Sequence, residues 1–120
     1  MNNTELGAFG ERLAEKHLRL KGFNIIDRNY RAGKLEIDLV AEHEEKLIVI
    51  EVKTRNTAEI GEPWRAVTKA KQQQLIKAAN MYIFSRNVDK ETRFDIVSIV
   101  HNSYRTTIEH IEDAFGPSLK

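Results

Sequence analysis

Asp38, Glu51 and Lys53 are the residues whose types and spacing could support hydrolysis at a phosphate. Glu51 and Lys53 lie in the stretch 46–55, whose β-branched residues predict a buried strand. Alternation puts Leu47, Val49, Glu51 and Lys53 on one face, so two charged groups share it with apolar neighbours. Desolvating unpaired charge is costly, and such a strand needs compensation. The preceding stretch, 35–42, also alternates, with Leu35, Ile37, Leu39 and Ala41 on one face and Glu36, Asp38 and Val40 on the other. A hairpin turn at Glu44-Glu45 pairs His43 with Lys46 and brings Asp38 opposite Glu51. Like charges facing each other across strands repel, and a bound cation turns that repulsion into a site. A slip of one residue would put Asp38 on the wrong face.

The two carboxylates and the Val52 carbonyl are hard oxygen donors, suited to Mg²⁺ or Mn²⁺. A metal there activates water and stabilises charge on a phosphate, and Lys53 reaches the water or the phosphate as a compact cation. The plain alternative is a half-exposed strand in which Lys53 bridges to either acid. Glu11 falls on the helical stripe Gly7, Glu11, Ala14, Leu18, whose small residues would let a helix approach the sheet and present Glu11 to the same cleft. Its alternative is an ordinary surface glutamate. Lys71 and Gln74 stand one turn before Leu75 and Ala78, on the inward side of a second helix, facing the metal cleft or a phosphate, or else lying over the core.

The elements that must position these groups follow from periodicity. Residues 4–21 carry Leu6, Phe9, Leu13, His17 and Leu20 at helical spacing, with Asn2 and Glu5 as a cap and Gly22 as the stop. Residues 23–30 make a first strand, followed by 35–42 and 46–55. A second helix starts near Pro63 or Thr68 and runs to about Ser85, with Leu75, Ala78, Ala79, Tyr82 and Ile83 inward. Residues 93–100 and 105–111 form two more strands around an Asn102-Ser103 turn, and Ala114-Phe115 dock on the core. The order is α-β-β-β-α-β-β, an α/β arrangement with a mixed sheet flanked by helices.

Composition sets the class. A chain of 120 residues with 41% apolar and 31% charged side chains is expected to form one globular domain, residues 1–120. No apolar run approaches the roughly 20 residues of a membrane span, no signal-peptide pattern opens the chain, and cysteine is absent. A cytoplasmic protein without a membrane partner is expected. The net charge of +1 argues against a broadly basic nucleic-acid binder. The stretch 63–88 is nevertheless locally basic, with Arg65, Lys69, Lys71, Lys77 and Arg86 and no acid.

Other chemistries find less support. His17, His43, His101 and His110 lack zinc-site spacing, and His17 reads as a packed core residue. The serines lack a nucleophile elbow, and the glycines form no phosphate-cradling loop. Asp95 reads as a structural partner for Arg93. Trp64, beside Arg65, reads first as packing under a loop, with base stacking as the alternative.

The runs Glu36-Ile37-Asp38-Leu39-Val40-Ala41, Ile50-Glu51-Val52-Lys53-Thr54-Arg55 and Arg93-Phe94-Asp95-Ile96-Val97 resemble the YraN family of small bacterial proteins. The opening stretch with Gly10-Glu11 and Ala14, and Arg28-Asn29-Tyr30-Arg31, match it too, so the resemblance covers essentially the whole chain. That family is similar to the PD-(D/E)XK nucleases and to archaeal Holliday-junction resolvases. The resemblance implies a restriction-endonuclease-like αβββαβ core, Mg²⁺ as cofactor, a DNA substrate and a homodimer. It makes Asp38 the first acid, Glu51 and Lys53 the E-x-K pair, and Glu11 the helix glutamate near the metal. Arg28, Arg31, Arg55, Lys71 and Gln74 are the candidate DNA contacts. The chain departs from the pattern at Leu35, where many relatives have glycine, and at Ile37, where the superfamily has proline; both bear on the backbone path into the site. The expected function is a metal-dependent endonuclease acting on branched or damaged DNA. The alternatives are a catalytically silent nucleic-acid-binding or protein-interaction module, and a purely structural domain in which Lys53 neutralises the two acids.

Overall fold

The computed structural model describes residues 1–57 and 63–117. Helix α1 (Asn3–Leu20) opens on a capping box: the Asn2 side chain accepts the Glu5 N–H at 2.8 Å, and Glu5 accepts the Asn2 N–H at 3.0 Å. Strands β1 (Asn24–Ala32), β2 (Leu35–His43) and β3 (Lys46–Arg55) follow. A short 3₁₀ turn (Pro63–Ala66) precedes helix α2 (Lys69–Arg86), and β4 (Thr92–His101) and β5 (Thr106–Phe115) complete the chain order. Of the two expected starts for the second helix, Thr68 is the cap, its side chain accepting the Lys71 N–H.

The strands form one mixed sheet in the order β1-β2-β3-β4-β5, antiparallel except for the β3–β4 pair. A parallel pair needs a crossover, which α2 provides. Ala14 and Leu18 of α1 pack on Leu39, Ala41, Ile48 and Ile50 on one face. Leu75, Ala78, Ala79 and Tyr82 of α2 pack on Val40, Leu47, Val49 and Ile96 on the other. Strand β3 is thus covered on both faces and reads as a nearly continuous apolar run. This is the αβββαβ order of a restriction-endonuclease-like core. Among the described residues no helix is long and apolar enough to cross a membrane.

Three local expectations are corrected. Ile37 does not share a face with Leu39 and Ala41: it packs on the α2 side, they on the α1 side. The neighbouring strand changes sides with it. Arg28, the partner of Leu39, bonds to Glu15 of α1, whereas Tyr30, the partner of Ile37, packs edge-on against Tyr82 of α2. Between them Asn29 adopts φ 50°, a left-handed backbone that asparagine tolerates and that breaks simple alternation.

The buried stripe of α1 is Gly10, Ala14 and Leu18 rather than Leu6, Phe9, Leu13, His17 and Leu20, and Leu20 is 81% exposed. The reason is close approach: a Cβ on Gly10 would lie 1.8 Å from Thr54 Oγ1. Phe9 instead meets the His101 ring at the flank, and His17 is half-buried rather than a core residue.

The last strand extends past the expected 111 to Phe115 because the β4–β5 register shifts between Phe94 and Ile96. Asp113, at φ 51°, turns its N–H to Asp95. Phe115 then stacks on Phe94, which docks the end of β5 as anticipated.

Candidate active site

The turn at Glu44 and Glu45 has positive φ at both residues, the backbone of a two-residue hairpin turn, and sets His43 opposite Lys46. The β2–β3 ladder then runs to Leu39 opposite Ile50 and stops. The next step of that register is Asp38 and Glu51. There, the Asp38 carboxylate replaces the missing backbone partner: its Oδ2 accepts the Val52 N–H at 2.8 Å. Along a strand the N–H and C=O of one residue point the same way, so the Val52 carbonyl opens toward the same gap.

Glu51 lies on the α2 face and is only 5% exposed. Burial pushes its carboxyl up to about 8, and the charge of Asp38 and a hydrogen bond with it push the same way. Lys71 and Lys53 oppose this less strongly, with their Nζ atoms 3.8 Å and 4.0 Å from Glu51 Oε2. Glu11, on α1, is pushed up to about 7, first by burial, then by Asp38 and Glu36. Asp38 is therefore felt from both sides of the sheet.

The structure brings Asp38, Glu51, Lys53 and Lys71 together, with Glu11 inside the same field. Glu36, which alternation puts on the strand face of Asp38 without assigning it a role, joins that field from β2. Among the described residues no group of three His, Cys, Asp or Glu side chains forms a ready-made metal cage. The donor set is instead two carboxylates and a carbonyl at an open gap. That suits a cation such as Mg²⁺, which keeps several of its waters and binds through one or two carboxylates.

The remaining candidates spread outward. Arg28 is held by Glu15, with two contacts of 2.6 Å, and Arg31 reaches Glu36 at 3.5 Å. Arg55 lines a cavity of about 330 Å³ with Lys53 and Asn3. Gln74, expected on the inward side of α2, is exposed, just outside the buried stripe.

Asp95 forms a second polar centre on the neighbouring strand. Arg93 grips it with Nε at 2.9 Å and Nη2 at 2.8 Å, His110 Nε2 lies at 2.7 Å, and the Asp113 N–H donates at 3.0 Å. Burial alone would raise its pKa, but these hydrogen bonds outweigh that and hold it below its ordinary value. His110 went unmarked in the sequence because it lies 15 residues away with no motif.

Residues 10–99 match the family described as "Uncharacterised protein family UPF0102", and this stretch contains both motif strands. A UPF0102 protein of Christiangramia forsetii is 48% identical over 113 residues, covering 94% of this chain and 95% of the relative. One of Flavobacterium psychrophilum is 42% identical with the same coverage. One of Syntrophotalea carbinolica is 40% identical over 92% of this chain and 90% of the relative. The YraN resemblance is thereby met.

Proposed function

The chain belongs to the UPF0102 family, and we propose that it is a metal-dependent endonuclease that hydrolyses DNA phosphodiester bonds on branched or damaged substrates. One observation carries the proposal: Asp38 and Glu51 are forced together where β2 and β3 part, with Lys53 and Lys71 reaching the buried acid. A fold seldom keeps such repulsion in its core without a function. Mg²⁺ or Mn²⁺ held by Asp38, Glu51 and the Val52 carbonyl would supply an activated water and stabilise charge on the phosphate. Lys53, part-exposed at the rim, orients the attacking water or neutralises charge developing on a phosphate oxygen. Glu11, which feels the charge of Asp38 from α1, would assist through a bound water or a second metal ion. Symmetrical cutting of two strands calls for a second copy of the chain, so we propose a homodimer as the working form.

A second reading, a silent DNA-binding module, draws on the two lysines that reach Glu51 and offset its charge. Calorimetric titration with Mg²⁺ and Mn²⁺, followed by assays on junction, nicked and duplex DNA, separates the two. The nuclease reading expects saturable metal binding that is lost in Asp38→Ala/Glu51→Ala, and cleavage lost in Lys53→Met. A folded Asp38→Ala protein that cleaves like wild type sinks the mechanism. DNA binding without cleavage under either metal favours the module.

A further inference from the structure

On the α2 face, the row that starts at Glu51 continues through Ile96 of β4 to Ile111 of β5, and the row of Lys53 continues through Ser98 to Glu109. Strands are spaced about 4.8 Å apart, so Ile96 and Ile111 stand one and two strands from Glu51. Above them lies a cavity of about 480 Å³. Ile96 and Ile111 are among its lining residues, Trp64 and Arg65 come from the 3₁₀ turn, and Gln72 and Glu109 are polar members of the lining. The volume is within the range of about 300–1,000 Å³ typical of small-molecule sites.

The lining is anchored. The Trp64 N–H donates to Ser98 Oγ at 3.2 Å, which ties the turn to the row of Lys53. The Arg65 guanidinium lies 5.0 Å from the Trp64 ring. Gln72 Nε2 donates to the Val67 carbonyl at 3.1 Å, which fixes the amide and leaves its Oε1 as an acceptor. Among the described residues Arg65 has no carboxylate partner and Glu109 has no cation.

We propose that this cavity receives one unpaired nucleobase of the strand held at Asp38 and Glu51, an inference that rests on the nuclease reading above. An indole beside an aliphatic floor suits the flat faces of a base. Gln72 Oε1 and Glu109 both accept hydrogen bonds, so the preferred base carries an exocyclic amine, as cytosine does and thymine does not. Arg65 supplies positive charge for the adjoining phosphate. A base left unpaired by a bulge, junction or lesion enters without the energy of breaking a pair, which makes the cavity a selector for distorted DNA.

Trp64 is the sole tryptophan of the chain, so its emission reports on the cavity. Wild-type protein is titrated, with Ca²⁺ replacing Mg²⁺, with three labelled duplexes: one with a bulged cytosine, one with an abasic residue at the bulge, and one fully paired. Anisotropy of the label gives binding independently of the indole. The expected result is saturable quenching by the bulged cytosine and binding about tenfold tighter than to the abasic duplex. In Gln72→Ala/Glu109→Ala that preference shrinks while abasic binding is unchanged. In Trp64→Phe, followed by anisotropy, it largely persists. Equal binding of cytosine and abasic duplexes, unchanged emission at saturation, no binding at all, or quenching by free cytidine monophosphate as tight as by DNA each overturns the proposal. Cleavage of the same duplexes with Mg²⁺ is scored separately. Cleavage without base dependence removes the cavity and keeps the nuclease; base-dependent quenching without cleavage does the reverse.

Discussion

Asp95 and Glu51 are both buried acids on adjacent strands, Asp95 opposite Ile50 and Glu51 opposite Ile96, yet the fold treats them in opposite ways. Around Asp95 every demand of a carboxylate is met from within: an arginine fork, an imidazole and a backbone N–H. Around Glu51 the nearest strong influence is another acid, and its lysines stand 3.8 Å and 4.0 Å away, beyond hydrogen-bonding distance. The first arrangement stabilises the charged form of its acid; the second, on balance, disfavours it. A buried charge alone therefore says little about function, and the sign of what surrounds it says a great deal.

The contrast is open to direct tests. Asp95→Ala leaves Arg93 and His110 with a buried hole, and a loss of about 3–5 kcal/mol in urea unfolding is expected. A loss below about 1 kcal/mol would show that the knot is not structural. Glu51→Gln acts in the other direction. The folded carboxyl titrates near 8 against an ordinary 4.5, so between those values the unfolded chain is ionised and the folded one is not. Wild-type stability therefore falls as pH rises through that window, and the variant gains roughly 4 kcal/mol by pH 8. Millimolar Mg²⁺ should restore wild type and leave Glu51→Gln unmoved in a melting scan. Asp95, whose pKa is lowered, has the opposite slope: its contribution is present above 3.8 and is lost as pH falls further. Loss of that acid-side slope in Asp95→Ala, seen in melting scans from pH 6 to pH 2, would assign it. The smallest effect belongs to the surface pair that joins β1 to α1: Arg28→Ala should leave the melting temperature within experimental error.

The trio Asp38, Glu51 and Lys53 was legible because hairpin register and strand alternation act locally, and the Glu44-Glu45 turn behaves as those rules require. The parting of β2 from β3 was not. Alternation presumes regular strands, and nothing in Asn29 announces a left-handed backbone. The seating of α1 was half legible: the stripe of Gly7, Glu11, Ala14 and Leu18 was visible, but leucines and phenylalanine dominate any hydrophobicity pattern. Closeness of approach, which favours small residues, decided the face instead. Gln74 shows the limit of helical spacing, since one residue of offset separates inward from exposed. The Asp95–His110 contact joins two strands through a bulge that no local rule places.

Gly10 gives the first helix a hard mechanical stop. With no side chain between it and Thr54, the helix rests on the sheet and has no slack to settle further. The height of the neighbouring Glu11 above the sheet is thus set by the Gly10 backbone resting on the short, β-branched Thr54 side chain rather than by a long flexible one. A single methyl group at position 10 would act as a shim, lifting the helix and detuning the proton affinity of Glu11 without touching any charged residue.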